Sequence, residues 1–313
     1  MEVAFLSVIE DHIAGDPMNE KVRWVKLTRY QISDAMREKG VKVSRNVIRK
    51  LLKKHNLVKR KMQRKRSCGK SQDRDAQFKI ITAKREKFAA SDNPVISVDT
   101  KKKELLGNLH RKGKIFCTQA LESWDHDYTY LATGKISPHG IYDIAANKAH
   151  INIGNSSETA DFICDSIESW WIRQGKAQYP KATEILILCD SGGANSYRHH
   201  LFKIALQKLA TATGLTVNIS HYPPYASKWN PIEHRVFPHV TRALAGEPLL
   251  SEEDAKLKIA STKTTTGLCV TSDIISKVYE TGKKATKAMV EKLNIKFDET
   301  LGQFNYVVSP QTT

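Results

Sequence analysis

The chain has 313 residues, 40% of them hydrophobic, enough for two or three packed domains rather than one small one. It carries a formal net charge of +17. No apolar run approaches the ~20 residues of a bilayer-crossing helix and no charged-then-apolar leader opens it, which excludes a helical membrane protein and points to the cytoplasm.

Five scattered cysteines (Cys68, Cys117, Cys164, Cys189, Cys269) lack the paired spacing of a zinc or redox motif and read as reduced thiols. The charge is uneven: residues 1–92 hold 24 Lys and Arg against 11 Asp and Glu, a net +13, whereas the remaining 221 residues hold only +4. Such asymmetry suits a polyanion, nucleic acid before a membrane surface, because no amphipathic anchor or lipidation motif accompanies it. A merely solvated basic face is the lesser alternative on charge alone.

In chain order, Val3, Phe5, Leu6, Val8, Ile9 and Ile13 mark a short helix within residues 1–20, ended by Gly15-Asp16-Pro17. Thr28 is placed to cap a helix with Ile32, Ala35 and Met36 on one face, and Gly40 to stop it. Ser44 is placed to cap a second, with Val47, Ile48, Leu51 and Leu52 inward. Helix, turn and helix outline a helix-turn-helix unit, although spacing alone also fits an ordinary helix pair. The second helix turns Arg45, Asn46, Arg49, Lys50 and Lys53 away from its apolar stripe, as a helix lying in a major groove would. The run from Lys59 and Arg60 to Arg66 is too polar to pack and too basic to ignore a phosphate backbone. Residues 1–70 therefore read as a helix-turn-helix DNA-binding region with a basic linker.

Residues 71–93 follow as a connecting helix with Phe78, Ile81 and Phe88 as packing points, broken at Asn93-Pro94. Val95 to Val98 reads as a strand with Asp99 at its end and Lys101-Lys102-Lys103 behind it. Leu105 to Lys135 suggests a β-hairpin with a surface loop that holds Trp124, Asp125, His126 and Asp127. Two short strands, Ile141 to Ala145 and His150 to Ile153, flank a turn at Asn147. A helix from about Ser157 to Gln174 carries Ile163, Ile167, Trp170 and Trp171 on one face, with Gly175 as its stop. The helical phase of the tryptophans favours core packing over base stacking.

The unbroken apolar run Ile185 to Cys189 reads as a strand buried on both faces, leaving Asp190 at its carboxyl end, where open α/β sheets place ligands. After the Gly192-Gly193 turn come a helix from Ser196 to Ala212, closed by Gly214, and a half-buried strand through Leu215, Val217 and Ile219. Three strands, helix, strand, helix, strand match an α/β ribonuclease H-like core with a mixed sheet. Asn230 reads as an N-cap before Pro231, which puts Glu233 at the third position of a helix. A capping or helix-dipole role would explain Glu233 by itself. Together with the two strand-end aspartates it completes a candidate site of three carboxylates, Asp99, Asp190 and Glu233. Like charges so placed repel unless divalent cations neutralise them, and hard oxygen donors favour two ions of Mg²⁺, with Mn²⁺ as substitute. Lys101, Lys102, Lys103, Lys228 and Arg235 are candidates to hold phosphates beside them. Farther on, the pattern suggests a helix near Asp273 to Tyr279 and a basic patch at Lys283, Lys284 and Lys287, suited to oligomerisation or DNA contact alike.

The ordered set VISVDTKKKE (95–104), GIYD (140–143), Trp170-Trp171, CDSGGA (189–194), His221 to Pro224, Ser227 to Asn230 and IEHR (232–235) resembles the Rhodopirellula-type DDE transposases of bacterial insertion sequences. The likeness runs along nearly the whole chain, including DRDAQF (73–78) and TTTGL (264–268). It implies a ribonuclease H-like catalytic domain over residues 94–245, a C-terminal accessory region over 246–313, and Asp99, Asp190 and Glu233 as the metal-binding triad. Implied too are strand cleavage and strand transfer on transposon ends and target DNA, by a homo-oligomer assembled on DNA in the bacterial nucleoid. Asp127 falls near a His-Asp pair of that family. Family members usually carry a further helix-turn-helix region ahead of the part where this chain begins, so the resemblance implies a truncated or divergent element. Two other readings stay open at this point, a ribonuclease H-like nuclease without strand transfer and a DNA-binding repressor or transposase remnant with an inert core.

Overall fold

A computed structural model describes residues 1–16, 19–62 and 73–311. The chain divides into two units, Met1–Arg66 and Ser67–Thr313.

The first unit contains α1 (Glu2–Glu10), the antiparallel strands β1 (Ile13–Asp16) and β2 (Asn19–Val25), α2 (Arg29–Glu38) and α3 (Arg45–Lys54). Thr28 caps α2 in a capping box with Gln31, and the Ser44 hydroxyl accepts the Val47 N–H at the start of α3. These caps fix where each helix begins, and with it which side chains point inward. Phe5, Val8 and Ile9 of α1, Ile32 and Met36 of α2, and Ile48 and Leu51 of α3 form one core. The hairpin corrects the single helix expected over residues 1–20: the helix stops at Glu10, and Ile13 pairs with Val25 so that both pack on that core. Pro17 lies outside the described residues.

In the second unit, α4 (Arg74–Ala89) precedes β3 (Val95–Thr100), β4 (Glu104–Leu106), β5 (Gly134–Asp143) and β6 (Lys148–Gly154). Then come α5 (Ala160–Trp170), α6 (Lys176–Gln178), β7 (Glu184–Cys189), α7 (His200–Thr213), β8 (Thr216–His221), α8 (Pro231–Arg235) and α9 (Phe237–Ala243). The chain ends with α10 (Glu252–Ala260), β9 (Cys269–Ile275), α11 (Lys287–Glu291), β10 (Ile295–Phe297) and β11 (Asn305–Val308). The sheet runs β10-β11-β8-β7-β3-β5-β6-β9, and β4 pairs with β5 beside it. Numbered along the chain, β3, β5, β6, β7 and β8 stand in the order third, second, first, fourth, fifth, with only the second antiparallel to the rest. That is the ribonuclease H-like arrangement, a mixed sheet with helices on both faces.

Alternation in β7 shows how the layers form. Ile185, Ile187 and Cys189 join the cluster containing Ile163, Ile167 and Trp170 of α5 and Phe202 and Leu206 of α7. Leu186 and Leu188 turn the other way, into a cluster with Ile81 and Phe88 of α4 and with Tyr222. A strand covered by helices on both sides can be apolar at every position, at about 1.5–3 kcal/mol for each side chain fully buried. Trp170 and Trp171 are buried in the first cluster. Gly175 is not the helix stop: the chain passes through a wide turn, Trp171–Gly175, into α6, and a Cβ on Gly175 would stand 2.4 Å from the Trp171 ring. The glycine leaves room for the indole.

Residues 246–313 also depart from expectation. The segment read as a helix near Asp273 to Tyr279 begins within β9, which pairs in parallel with β6 from Lys148↔Cys269 to Gly154↔Ile275. Ile274, Ile275, Val278 and Tyr279 mimic a helical apolar stripe, but β6 offers an open edge that outweighs the local pattern. At the opposite side β11 pairs antiparallel with β8, and β10 with β11. The carboxyl-terminal residues thus extend both edges of the sheet. Among the described residues no helix is long and apolar enough to cross a membrane.

A buried polar cluster fastens β11 to α4. The Asn305 amide oxygen accepts from Gln77 at 3.1 Å and from the Ser220 hydroxyl at 2.9 Å, while its nitrogen donates to the Gln77 amide oxygen at 2.6 Å and the Leu301 carbonyl at 3.2 Å. Asn305→Ala would leave Gln77 and Ser220 without these partners in a dry interior. We expect it to cost about 1–3 kcal/mol of stability in urea unfolding, whereas an unchanged midpoint would show that the cluster is not a structural tie.

Candidate active site

Register builds the site. Across parallel β3 and β7, Val95 lies level with Leu186 and Ser97 with Leu188. Continuing in step, Asp99 comes level with Asp190 at the carboxyl ends of neighbouring strands.

Glu233 arrives from α8, and Asn230 determines where. Asn230 is fully buried; its oxygen accepts from the Ser97 hydroxyl at 2.5 Å and its nitrogen donates to the Val98 carbonyl at 2.9 Å. Ser97 Oγ in turn accepts the Ile232 N–H at 3.0 Å. The side chain expected to cap α8 therefore docks the helix on β3, one and two residues before Asp99, and no side chain caps α8. Gly140, paired with Asp99, makes the approach possible, because a Cβ there would stand 2.6 Å from Ile232 Cδ1.

Asp99, Asp190 and Glu233 are all half-buried. The Asp99 carboxylate accepts the Thr100 N–H at 2.8 Å and shares a hydrogen bond with Glu233. Burial first, then the charges of Asp190 and Glu233, push its pKa up to about 8. Asp190 is raised as well, chiefly by burial and further by Glu233 and Glu158, against the pull of hydrogen bonds from the Gly192 N–H and the Asn195 side chain. Glu158 is a neighbour that the sequence does not single out, since Ser157-Glu158-Thr159 before a helix looks like any cap. His221 supports Asp190 from below: its Nδ1 lies 3.0 Å from the Asp190 carbonyl and its Nε2 3.0 Å from the Tyr306 hydroxyl. Burial lowers its pKa to about 4, which keeps the ring neutral near pH 7.

The donor chemistry fits a hard divalent cation, with carboxylate oxygens only, in a setting whose burial and negative charge together hold a proton on Asp99 in the absence of metal. Among the described residues no three His, Cys, Asp or Glu side chains are drawn up at ligand spacing. The carboxylates are electrostatic neighbours rather than a closed cage.

The candidate phosphate-binding residues separate. Lys101 is buried, its ammonium paired with Glu104, whose other oxygen takes Arg111 at 2.9 Å. Its charge is neutralised inside the protein, unlike those of the exposed Lys102, Lys228 and Arg235. Lys228 Nζ lies 5.7 Å from the centre of the Trp229 ring. In the first unit Arg45, Asn46, Arg49, Lys50 and Lys53 are all exposed on α3, and Lys59 and Arg60 are exposed beyond it. The Arg45 guanidinium lies over the Tyr30 ring at 4.4 Å. Residues 63–66 of the basic run lie outside the described residues.

The model of a family described as the Rhodopirellula transposase DDE domain matches residues 4–310. No curated protein matches the chain. Among solved structures, the Mos1 transposase paired-end complex with left transposon end is similar at TM-score 0.46 and 12% identity over 82% of this chain and 69% of that one. The pre-cleavage Mos1 transpososome gives 0.45 and 12% over the same shares, and the Mos1 strand transfer complex 0.41 and 13% over 82% and 68%.

The Asp99 pKa predicts a pH dependence. It is higher in the folded chain than the ordinary 3.8, so folding takes up a proton, and metal-free stability falls as pH rises from about 4 through about 8. Asp99→Asn removes that liability. In EDTA its Tm should match the parent's near pH 4 and exceed it at pH 8; coincident melting curves at both pH values would contradict the clustering of charge.

Proposed function

Since the chain belongs to the Rhodopirellula transposase DDE domain family, we propose that it cuts DNA strands and transfers the freed ends, with Asp99, Asp190 and Glu233 as ligands of two Mg²⁺ or Mn²⁺ ions. The observation that carries this reading is the strand register that brings Asp99 level with Asp190, with the Asp99 pKa raised by burial first and then by the charges of Asp190 and Glu233. Three acids from separate parts of the chain meet at the carboxyl end of a sheet, where a cation would offset the burial and repulsion that otherwise leave Asp99 protonated.

Bound ions would supply Lewis acidity at the scissile phosphate and lower the pKa of the attacking water or 3′ hydroxyl. The chain's own contribution is position. Thr100 N–H, Gly192 N–H and Asn195 orient the two aspartates, and the Asn230–Ser97 contact holds the helix that presents Glu233. Lys102, Lys228 and Arg235 remain exposed to take phosphate oxygens. Lys101, paired with Glu104, holds the start of the following strap instead. In the first unit, α3 presents Arg49, Lys50 and Lys53 as the cationic face of a helix-turn-helix, with Asn46 to read a base edge. The working form is a homo-oligomer on DNA, acting on transposon ends and target within the bacterial cytoplasm.

Asp190→Asn should abolish Mg²⁺-dependent nicking of duplex DNA while leaving gel-shift affinity in EDTA intact; normal nicking by that variant would remove the assignment. Arg49→Ala with Lys50→Ala should flatten the slope of log K against log salt concentration by about 1–2. An unchanged slope would take α3 out of the DNA interface.

A further inference from the structure

The loop between β4 and β5 carries aromatic surface that the proposed chemistry does not use. His126 and Tyr128 stack with centroids 5.1 Å apart and planes within 4°, and Tyr128 and Tyr130 stack at 5.3 Å and 14°. These rings are not core: Tyr128 is 49% exposed and Tyr130 77%, and the His126 side chain 61%. Three flat faces in register, left in water, form a column that one more flat ring can lengthen.

The loop is held so that the column faces outward. Tyr128 has extended backbone and Tyr130 lies in the 3₁₀ turn Thr129–Leu131; Asp127, between the first two rings in sequence, anchors the segment. Its carboxylate accepts the His110 N–H at 2.9 Å, and the Trp124 N–H donates to the Asn108 carbonyl at 3.3 Å. Gly107 N–H, at the loop's start, donates to the Leu249 carbonyl at 2.8 Å. The hydrogen bond to His110 gives Asp127 a role in aiming the rings.

Topology places the loop at the working end of the sheet. β3 ends beside Asp99, β4 begins four residues after Thr100, and β4 pairs with the first residues of β5, beyond the point where Gly140 meets Asp99. The loop therefore leaves the sheet at the end where Asp99 and Asp190 stand, and exposed Lys102 and Lys103 lie in the connection from β3 to β4 that precedes it. Exposed aromatic faces at the same end of the sheet as basic side chains are the chemistry of unpaired nucleic acid, in which bases stack and phosphates take the cations.

We propose that His126, Tyr128 and Tyr130 form a stacking platform for an unpaired nucleobase of the DNA strand next to the carboxylate site. The inference rests on the strand-cutting reading for its location, but its chemistry is separate. Stacking accepts any base, so the platform holds a frayed or single-stranded end without reading its sequence.

The test uses the full chain in EDTA with a duplex bearing a short single-stranded overhang that contains 2-aminopurine. Binding by the parent should quench the fluorescence, since stacking on a ring quenches this base. Tyr128→Ala with Tyr130→Ala should restore the fluorescence and weaken overhang binding about tenfold, with affinity for blunt duplex unchanged. Tyr128→Phe, which keeps the flat face, should still quench. Quenching and overhang affinity that survive the double alanine change would overturn the proposal. So would an equal loss for blunt duplex, or a loss of self-association in sedimentation with overhang binding intact, which would make the column a contact between copies. Mg²⁺-dependent nicking by the parent is measured in parallel: quenching without nicking sinks the strand-cutting reading and leaves the platform, and nicking without quenching does the reverse.

Discussion

Three carboxyl groups that repel one another are held as neighbours by the backbone that carries them. Asp99 and Asp190 end neighbouring parallel strands in matched register, so the distance between them is set by the ladder rather than by side-chain choice. Glu233 is joined to the same strand through Asn230, Ser97 and Ile232. Burial, with the mutual repulsion added to it, pushes the Asp99 pKa up to about 8. A divalent cation is the natural relief for such a site.

The remaining structure makes that arrangement hard to relax. Helices on both faces bury β7 along its length, and a slip of one residue would turn an apolar side chain to the wrong cluster. β9 and β11 extend the two sides of the sheet, and the Asn305–Gln77 pair ties the last strand to α4. His221 stands directly under Asp190, neutral and hydrogen-bonded at both nitrogens. The charge of the chain is divided: most of the basic excess lies ahead of residue 93, outside the strands that carry Asp99 and Asp190.

Much of this was legible in the residues, for identifiable reasons. The run Ile185 to Cys189 announces a two-sided strand because no exposed strand tolerates five apolar residues in succession. Thr28 and Ser44 mark helix starts because a hydroxyl accepting a backbone N–H leaves a local signature. Long-range pairings leave none. β9 was hidden by an apolar spacing that also suits a helix, the hairpin of residues 13–25 by a Gly-Asp-Pro that reads as a helix stop, and β10 and β11 by their shortness. Asn230 shows the same limit at the site: its place before Pro231 fits a cap, and only the proximity of Ser97 redirects it. Lys101 likewise looks like Lys102 until Glu104 is seen to take its charge.

The most direct measurement is anomalous diffraction at the manganese edge from crystals of the full chain soaked in Mn²⁺. Density bounded by the carboxylates of Asp99, Asp190 and Glu233 is expected, and its loss in crystals of Asp99→Asn. Manganese bound elsewhere, with these three side chains uncoordinated, would contradict it.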